Sequence, residues 1–136
     1  MTTLYNILLV TTGLSQREAS VFHGVRPDTV KSWSAGRNPA PDGAIDELAD
    51  LITKMASAVD AALDAAEAQE QTAEAIELGL ASDDHEAQSL GWPTASVHRV
   101  VIGRIAAELH YSGRKVSVVP RGSTIATAAA SDIHEL

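Results

Sequence analysis

Apolar residues recur at helical spacing in short stretches of the chain, and residues that start or stop helices bound each stretch. The first predicted helix runs over Leu4–Thr12, after a threonine that can cap it and before Gly13, which ends it. Its apolar positions are Leu4, Ile7, Leu8 and Val10. The next helix follows Ser15, which forms the capping-box pattern Ser-x-x-Glu with Glu18. Local signals therefore predict two helices within the first quarter of the chain.

Residues 14–41 contain two helix-sized segments separated by a glycine turn. His23-Gly24-Val25 makes the predicted turn, and His23 is interpreted as a surface residue of it. Pro27 suits the first turn of a helix and Gly36 the residue after its end, so the second helix is predicted over Pro27–Ala35. The inner-face positions are Ala19, Val21 and Phe22 on the first helix and Val30 and Trp33 on the second. The pattern predicts a helix-turn-helix.

A longer helix is predicted to start near Ala44, after a linker-like turn over 38–43. Its apolar residues alternate at three and four positions, which is typical of a coiled-coil seam over about three heptads. They are Ile45, Leu48, Ile52, Met55, Val59, Ala62 and Ala66, with Leu51 and Leu63 beside them. The segment 56–74 is rich in alanine and glutamate, which favour helix. It is either a solvent-exposed spacer helix or a thin dimer seam.

The pattern changes from Ala75, where strand and helix signals alternate. The predicted order is a strand over Ile76–Leu80, a brief helix from Ser82 through Leu90, a helix from Thr94 or Ser96 to Ser112-Gly113, and a strand over Lys115–Val119 closed by Pro120. Two strands alone are marginally stable, so we expect this α+β unit to pair with a copy of itself. The tail from Arg121 is expected to be weakly ordered.

The charge of the chain is unevenly distributed. The net charge of −8 divides into +1 over residues 1–45, −11 over 46–90 and +2 over 91–136, so the acidity does not exclude a locally basic DNA-binding face. The chain has no cysteine, which fits a reducing cytoplasm. The apolar run 7–10 is too short to span a membrane and no basic region precedes it, so we expect a soluble cytoplasmic protein without membrane contact.

Several positions in residues 3–55 match a known motif in residue type and spacing. They are Gly13, Leu14, Ser15, Gln16, Ala19, Gly24, Val25, Thr29, Val30, Trp33, Gly36, Arg37 and Pro41. The segment resembles the lambda-repressor-like (Cro/C1-type) helix-turn-helix of bacterial and phage transcriptional regulators. In that family the second helix of the pair lies in the major groove. The resemblance implies a mainly α fold, with an N-terminal DNA-binding domain of four to five helices.

The resemblance also implies which side chains meet DNA. It places the base-reading positions on Arg26, Pro27, Asp28 and Ser32, and it makes Gln16, Arg17, Lys31, Arg37 and Asn38 candidates for phosphate or groove-edge contacts. The chemistry agrees, since Arg26 and Lys31 can donate to guanine or phosphate and Asp28 can accept from a cytosine amino group. The alternative, an ordinary solvated surface, is what the charges alone would favour.

The order of elements after residue 75, with Gly91-Trp92-Pro93 and His98, resembles the C-terminal dimerisation region of anti-CRISPR-associated regulators. That resemblance implies a homodimer. The predicted organisation is a DNA-binding domain over 1–56, a helical extension over 57–74, a small α+β dimerisation unit over 75–120 and a tail over 121–136.

An enzyme is a weaker interpretation of this sequence. His85 with Asp83, Asp84 and Glu86 is the best cluster for a metal or acid–base site, but consecutive residues radiate around a helix start and do not converge. His98 and His110 are on different helical turns and lack a two-histidine metal spacing. We therefore expect a protein without enzymatic activity, metal or cofactor.

These observations lead to one principal hypothesis and one alternative. The chain is expected to be a homodimeric, sequence-specific regulator of transcription, a repressor that binds an inverted repeat in double-stranded DNA. The alternative is an antitoxin-like or adaptor protein whose acidic middle binds a basic protein, with DNA binding secondary.

Overall fold

The structure, a computed structural model, describes residues 2–69 and 74–121. The described part is mainly helical with one small sheet of two strands, as the sequence predicts, and the structure shows the two strands to be parallel. The elements are α1 (Leu4–Thr12), α2 (Gln16–His23), α3 (Pro27–Ala35), α4 (Asp42–Glu67), β1 (Ile76–Leu80), α5 (Asp84–Ser89), α6 (Ala95–Tyr111) and β2 (Val116–Pro120). No described helix is long and apolar enough to cross a membrane. The chain divides into two compact units, Met1–Ala56 and Ser57–Leu136.

The helices of the first unit begin and end at the predicted signals. Thr3 caps α1 by accepting a hydrogen bond from the Asn6 N–H, and the Ser15–Glu18 capping box opens α2 with both of its bonds formed. α1, α2 and α3 each end at a glycine in the left-handed conformation. The bounds predicted for α1 and α3 are confirmed, because each is set by residues within the helix or beside it.

The hydroxyl of Thr3 also connects the start of α1 to the end of α3. Its Oγ1 lies 3.3 Å from the Ser34 carbonyl oxygen, to which it donates. A Cβ on Gly36 would lie 3.2 Å from the Thr3 methyl, and Gly36 has φ +79°. Both the backbone conformation and this close approach therefore favour glycine at position 36.

Two faces assigned from the sequence differ in the structure. Val21, predicted to face inward on α2, is 81% exposed. At 100° per residue Val21 lies across the helix from Ala19, which is fully buried, whereas Phe22 and His23 follow Ala19 at i+3 and i+4. On α1 the buried residues are Tyr5, Leu9 and Thr12. The apolar side chains of Leu4, Ile7 and Val10 are exposed.

The interpretation of His23 as a surface residue is wrong. Its side chain is 1% exposed. The ring Nε2 lies 3.0 Å from the Tyr5 hydroxyl, and Nδ1 lies 3.2 Å from Glu47 Oε1. Because a carboxylate only accepts, Nδ1 donates to Glu47, and a ring that carries its proton on Nδ1 alone accepts from the Tyr5 hydroxyl at Nε2. The ring therefore joins α1, α2 and α4.

α4 differs from the prediction in its bounds and in its buried face. It begins at Asp42, two residues before Ala44, and ends at Glu67. Glu74, predicted to be helical, lies in a bend, and residues 70–73 are outside the described residues. Ile45 and Ile52 of the predicted seam are only half-buried. The buried residues are Ala44, Leu48, Leu51, Met55, Val59 and Ala66. Four of the seven predicted seam residues, Leu48, Met55, Val59 and Ala66, are thus buried, and Leu51 beside the seam is buried as well.

The predicted spacer is partly a packed element of the second unit. Residues 57–67 form the end of α4, where Val59 and Ala66 are buried. Arg114 Nη1 donates to the Ala66 carbonyl at 3.1 Å, which satisfies an oxygen of the last helical turn. This half of α4 is therefore not an isolated helix exposed on all sides.

The second unit is built around α6 and the two-stranded sheet. β1 and β2 are parallel, with Ile76 opposite Val116 and Leu80 opposite Pro120, and α5 and α6 form the connection between them. Thr94 caps α6, and the predicted stripe on this helix is buried at Val97, Val101, Ile105 and Leu109. The predicted order of strand, helix, helix and strand is confirmed. The tail beyond Arg121 lies outside the described residues.

Candidate nucleic-acid interface

A three-residue connection sets the angle between α2 and α3. Gly24, Val25 and Arg26 separate the two helices. Gly24 has φ +73°, and its N–H bonds back to the last turn of α2, as does the N–H of Val25, at 2.9 Å from the Ser20 carbonyl. A Cβ at Gly24 would meet nothing within 4 Å, so glycine is favoured there by the left-handed backbone and not by lack of space.

The inner face of α3 is fixed by aromatic and aliphatic packing. Val30 is fully buried and Trp33 is 9% exposed, which confirms both as core residues. The Trp33 ring meets the rings of Tyr5 and His23 edge-on, with centroids 5.5 and 5.8 Å away. Such edge-to-face contacts restrict rotation of a helix about its axis. The face of α3 that reaches solvent is therefore determined.

Four predicted site residues occupy the solvent-facing side of the α3 N-terminus. Arg26, Pro27, Asp28 and Lys31 are all exposed. Their polar side chains form no hydrogen bond or ion pair with any other group of the described chain. Arg26 is the N-cap residue but its side chain does not cap the helix, and Pro27 stands at the first helical position. These groups are free to bind a ligand without breaking a bond that holds the fold.

Ser32 is placed differently from the other predicted base readers. It is half-buried, and its Oγ accepts a hydrogen bond from Asn38 Nδ2 at 2.7 Å. This bond joins the last turn of α3 to the segment that follows it. Ser32 and Asn38 thus form a structural pair, in which the Ser32 hydroxyl can still donate and Asn38 keeps its second N–H and its Oδ1 for other contacts.

The remaining predicted contacts flank α3. Gln16 and Arg17 are exposed on the first turn of α2, and Arg37 is exposed just after α3. Neither arginine is paired within the described chain. The solvent-facing cations of this region are Arg17, Arg26, Lys31 and Arg37. These groups are guanidinium and ammonium cations that can donate to an anionic surface.

The first turn of α2 is less suited to an anion than a helix N-terminus usually is. The Ser15 N–H donates to Glu18 Oε1 at 2.9 Å, and the Glu18 N–H donates to Ser15 Oγ at 3.0 Å. The capping box therefore uses these two N–H groups and brings a carboxylate to the same end. A phosphate near α2 would depend on the side chains of Gln16 and Arg17.

The acidic cluster of the second unit has structural partners. Asp83 Oδ1 caps α5 through the Glu86 N–H, Asp84 Oδ1 accepts from the Ala95 N–H, and Glu86 Oε2 accepts from the Ser82 hydroxyl. Within residues 2–69 and 74–121, no group of three histidine, aspartate or glutamate side chains is placed to hold a metal ion. The cluster connects the start of α5 to the start of α6.

His98 is buried at the junction of α6 and the end of β1. The Ala81 N–H donates to His98 Nδ1 at 3.1 Å. Burial, and then the positive charge of Arg121, lower the pKa of His98, and the negative charge of Glu86 opposes the shift. The sequence identified His98 only through the second resemblance, since its partner Ala81 is seventeen residues away.

In comparisons with known proteins, neither a family model nor a curated protein matches the chain.

Proposed function

We propose that the chain is a sequence-specific DNA-binding regulator of transcription in which α3 enters the major groove. One observation carries the proposal: the exposed side of the α3 N-terminus bears Arg26, Asp28 and Lys31, none of them paired, while Val30 and Trp33 bury the opposite side. A rigidly packed helix with unpaired polar groups at its N-terminus is the arrangement that helix-turn-helix proteins insert into DNA.

The proposed roles follow from the chemistry of each side chain. Arg26 donates to guanine O6 and N7, Asp28 accepts from a cytosine amino group, and Lys31 contacts a base edge or a phosphate. Arg17, Arg37 and Gln16, which flank α3, bind phosphates and set the register of the protein on the duplex. Pro27 contributes van der Waals contact only, since it has no N–H.

The proposed binding unit is a homodimer that acts as a repressor. Residues 1–45 carry a net charge of only +1, so one copy provides few phosphate contacts. Two copies related by a twofold axis would place two α3 helices roughly 34 Å apart, one helical turn of DNA, on an inverted repeat. Occupation of such a site within a promoter blocks access of the transcription machinery.

The test is a selection from random duplex DNA with purified protein, followed by titrations of Arg26→Ala and Lys31→Ala on the selected sequence. We expect Arg26→Ala to weaken binding by about 5- to 150-fold and to relax the preference at one base pair. Lys31→Ala, if it removes a phosphate contact, lowers affinity on every sequence and reduces the salt dependence by about one ion. Arg99→Ala, an exposed cation on α6, is the matched control and leaves affinity unchanged. Parent-like binding by both variants would contradict the assignment of α3.

The acidic middle of the chain supports a second candidate function, binding of a basic protein. Asp60, Asp64 and Glu67 are exposed on the last turns of α4 and have no cationic partner in the described part of the chain. Under this hypothesis DNA binding is secondary, and Asp60→Asn with Asp64→Asn releases a co-purifying basic protein at physiological salt. A pure protein that selects an inverted repeat by itself would favour the regulator.

A further inference from the structure

The two-stranded sheet of the second unit leaves two outer edges, which differ in the residues that form them. In a parallel pair, alternate residues of each strand point their N–H and C=O groups at the neighbour. The Ile76 N–H donates to Lys115 and the Arg121 N–H donates to Leu80, which fixes this alternation. On β1 the outward groups thus belong to Glu77 and Gly79, and on β2 to Val116, Val118 and Pro120.

The β1 edge is partly closed. The next outward N–H along this edge is that of Ala81, and it donates to His98 Nδ1 at 3.1 Å. Glu77, an exposed acidic residue, and Gly79, which has low β-propensity, supply the rest of the edge. An added strand would find two residues with both backbone groups available there, as many as on β2, but one of them is acidic and the other has no side chain to pack.

The β2 edge is open in the part of the chain that the structure describes. Its outward residues Val116 and Val118 each offer an N–H and a C=O, and Val118 is 49% exposed. Pro120 at the end of the edge offers a carbonyl but no N–H. No residue of either strand is fully buried. An isolated parallel pair is the least favourable sheet, because parallel sheets are normally extended and covered.

We infer that a second copy of this chain pairs antiparallel with β2, so that the two sheets join into one of four strands. The outward groups are self-complementary about a twofold axis at Ser117. With Val116 opposite Val118 of the second copy, each of these residues makes both bonds of a closely spaced pair, which gives four bonds across the axis. Centring the axis on Val118 instead also allows four bonds, but Val116 and Pro120 would then make only one bond each, because Pro120 cannot donate.

The side chains are compatible with this register. Lys115 comes to lie opposite Val119 of the second copy, and Arg114 opposite Pro120, so no two like charges stand directly opposite each other. β-Branched residues form most of the pairing surface, which favours strand addition. A second copy presents the same edge in the same register, so this one surface is enough to form a closed, twofold-symmetric dimer.

Cysteine cross-linking tests this register directly, because the chain has no cysteine of its own. Ser117 would lie opposite Ser117 of the second copy in a widely spaced pair, with Cα atoms about 4.5 Å apart, within disulfide range. Ser117→Cys is therefore expected to form a disulfide-linked dimer under mild oxidation without DNA. Val118→Cys is the matched control: its two copies would lie about 8 Å apart, beyond disulfide range, and stay largely unlinked.

Each alternative arrangement gives a different result. Preferential linking of Val118→Cys would mean that the two β2 strands pair in another register. No linking of Ser117→Cys would mean that no second copy pairs with this edge, which is then either covered by residues 122–136 or left uncovered. Either result overturns the proposal. As a second test, Val118→Pro removes an outward N–H and is expected to be monomeric by light scattering, whereas Val118→Ala remains dimeric. A dimer of folded Val118→Pro would also overturn it.

The inference deepens the proposed function, which needs a dimer, but it is measured without DNA. If the Ser117→Cys chain does not cross-link and the protein still selects DNA, the interface proposed here is ruled out, and the proposal that α3 reads DNA stands. If it cross-links and the protein selects no DNA, the interface stands and the proposed regulatory function is ruled out.

Discussion

Among residues 2–69 and 74–121, each compact unit buries one histidine side chain, and the two histidines stabilise their surroundings in different ways. His23 joins three helices through the side chains of Tyr5 and Glu47. His98 instead accepts a hydrogen bond from a backbone N–H at the end of β1. The first unit therefore depends on contacts between distant side chains, whereas the second depends on a backbone ladder and an aliphatic helix stripe. Substitutions in each unit can test this difference.

The largest effects are expected from truncating the apolar core of each unit. Leu48→Ala in the first unit and Ile105→Ala in the second each remove a buried side chain, at a cost of about 2–5 kcal/mol in the free energy of unfolding. Each unit contains one buried tryptophan, Trp33 or Trp92, so urea unfolding in Trp92→Phe and Trp33→Phe backgrounds reports the two units separately. If each truncation shifted both transitions equally, the two units would unfold as one.

A smaller effect is expected from Tyr5→Phe, which removes the hydroxyl that donates to His23. The cost is about 1–2 kcal/mol, because the buried Nε2 loses its partner while packing against Trp33 is kept. Burial, and then the negative charge of Glu47, raise the pKa of Tyr5 to about 12. An unfolded tyrosine ionises near pH 10, so the stability of the first unit should fall between about pH 10 and 12.

Tyr5→Phe should remove this alkaline loss, as measured by urea unfolding over the same pH range. Glu47→Gln is the matched control, since its amide oxygen can still accept from His23 Nδ1 while the nearby charge is removed. An alkaline loss that persists unchanged in Tyr5→Phe would show that another group causes it.

The smallest effect is expected from acid titration of the second unit. The pKa of His98 is lowered in the folded chain, so the unfolded chain binds a proton first as the pH falls below about 6.5. Stability should therefore decrease from about pH 6.5 downward, by at most about 1.4 kcal/mol per pH unit for one group. His98→Asn keeps an acceptor for the Ala81 N–H. The stability of this variant should therefore not show the decrease attributed to His98 between pH 6.5 and 5, as measured by unfolding followed through Trp92 fluorescence.

Much of the fold was predictable from the sequence because helix ends are set locally. Thr3, Gly13, Gly36 and Thr94 cap or end helices within a few residues of themselves, and the predicted bounds agree with the structure there. The surroundings of His23 were not predictable, since Glu47 lies twenty-four residues away and comes close only in the folded unit. The burial of Ala44 in place of Ile45 on α4 was missed for a similar reason: both residues fit a helical stripe, and tertiary packing decides between them.

The candidate site was predictable at the level of residues and less so at the level of bonds. Eight of the nine predicted contacts are exposed, as an interface needs. The half-buried Ser32 and its bond to Asn38 depend on the path of the chain after Gly36, which residue types do not specify. The capping-box pattern in the sequence already placed the Glu18 carboxylate at the start of α2. Its unfavourable effect on anion binding there follows from the same residues.

The unpaired side chains on α3 have a consequence for how such a protein can evolve. Arg26, Asp28 and Lys31 support no bond of the fold, so natural substitution at these positions changes what the surface recognises at almost no cost in folding. Trp33, on the same helix, has no such freedom, because Tyr5 and His23 pack against it. Under the proposed function, operator preference can therefore diverge rapidly between descendants while the scaffold that presents it is inherited unchanged.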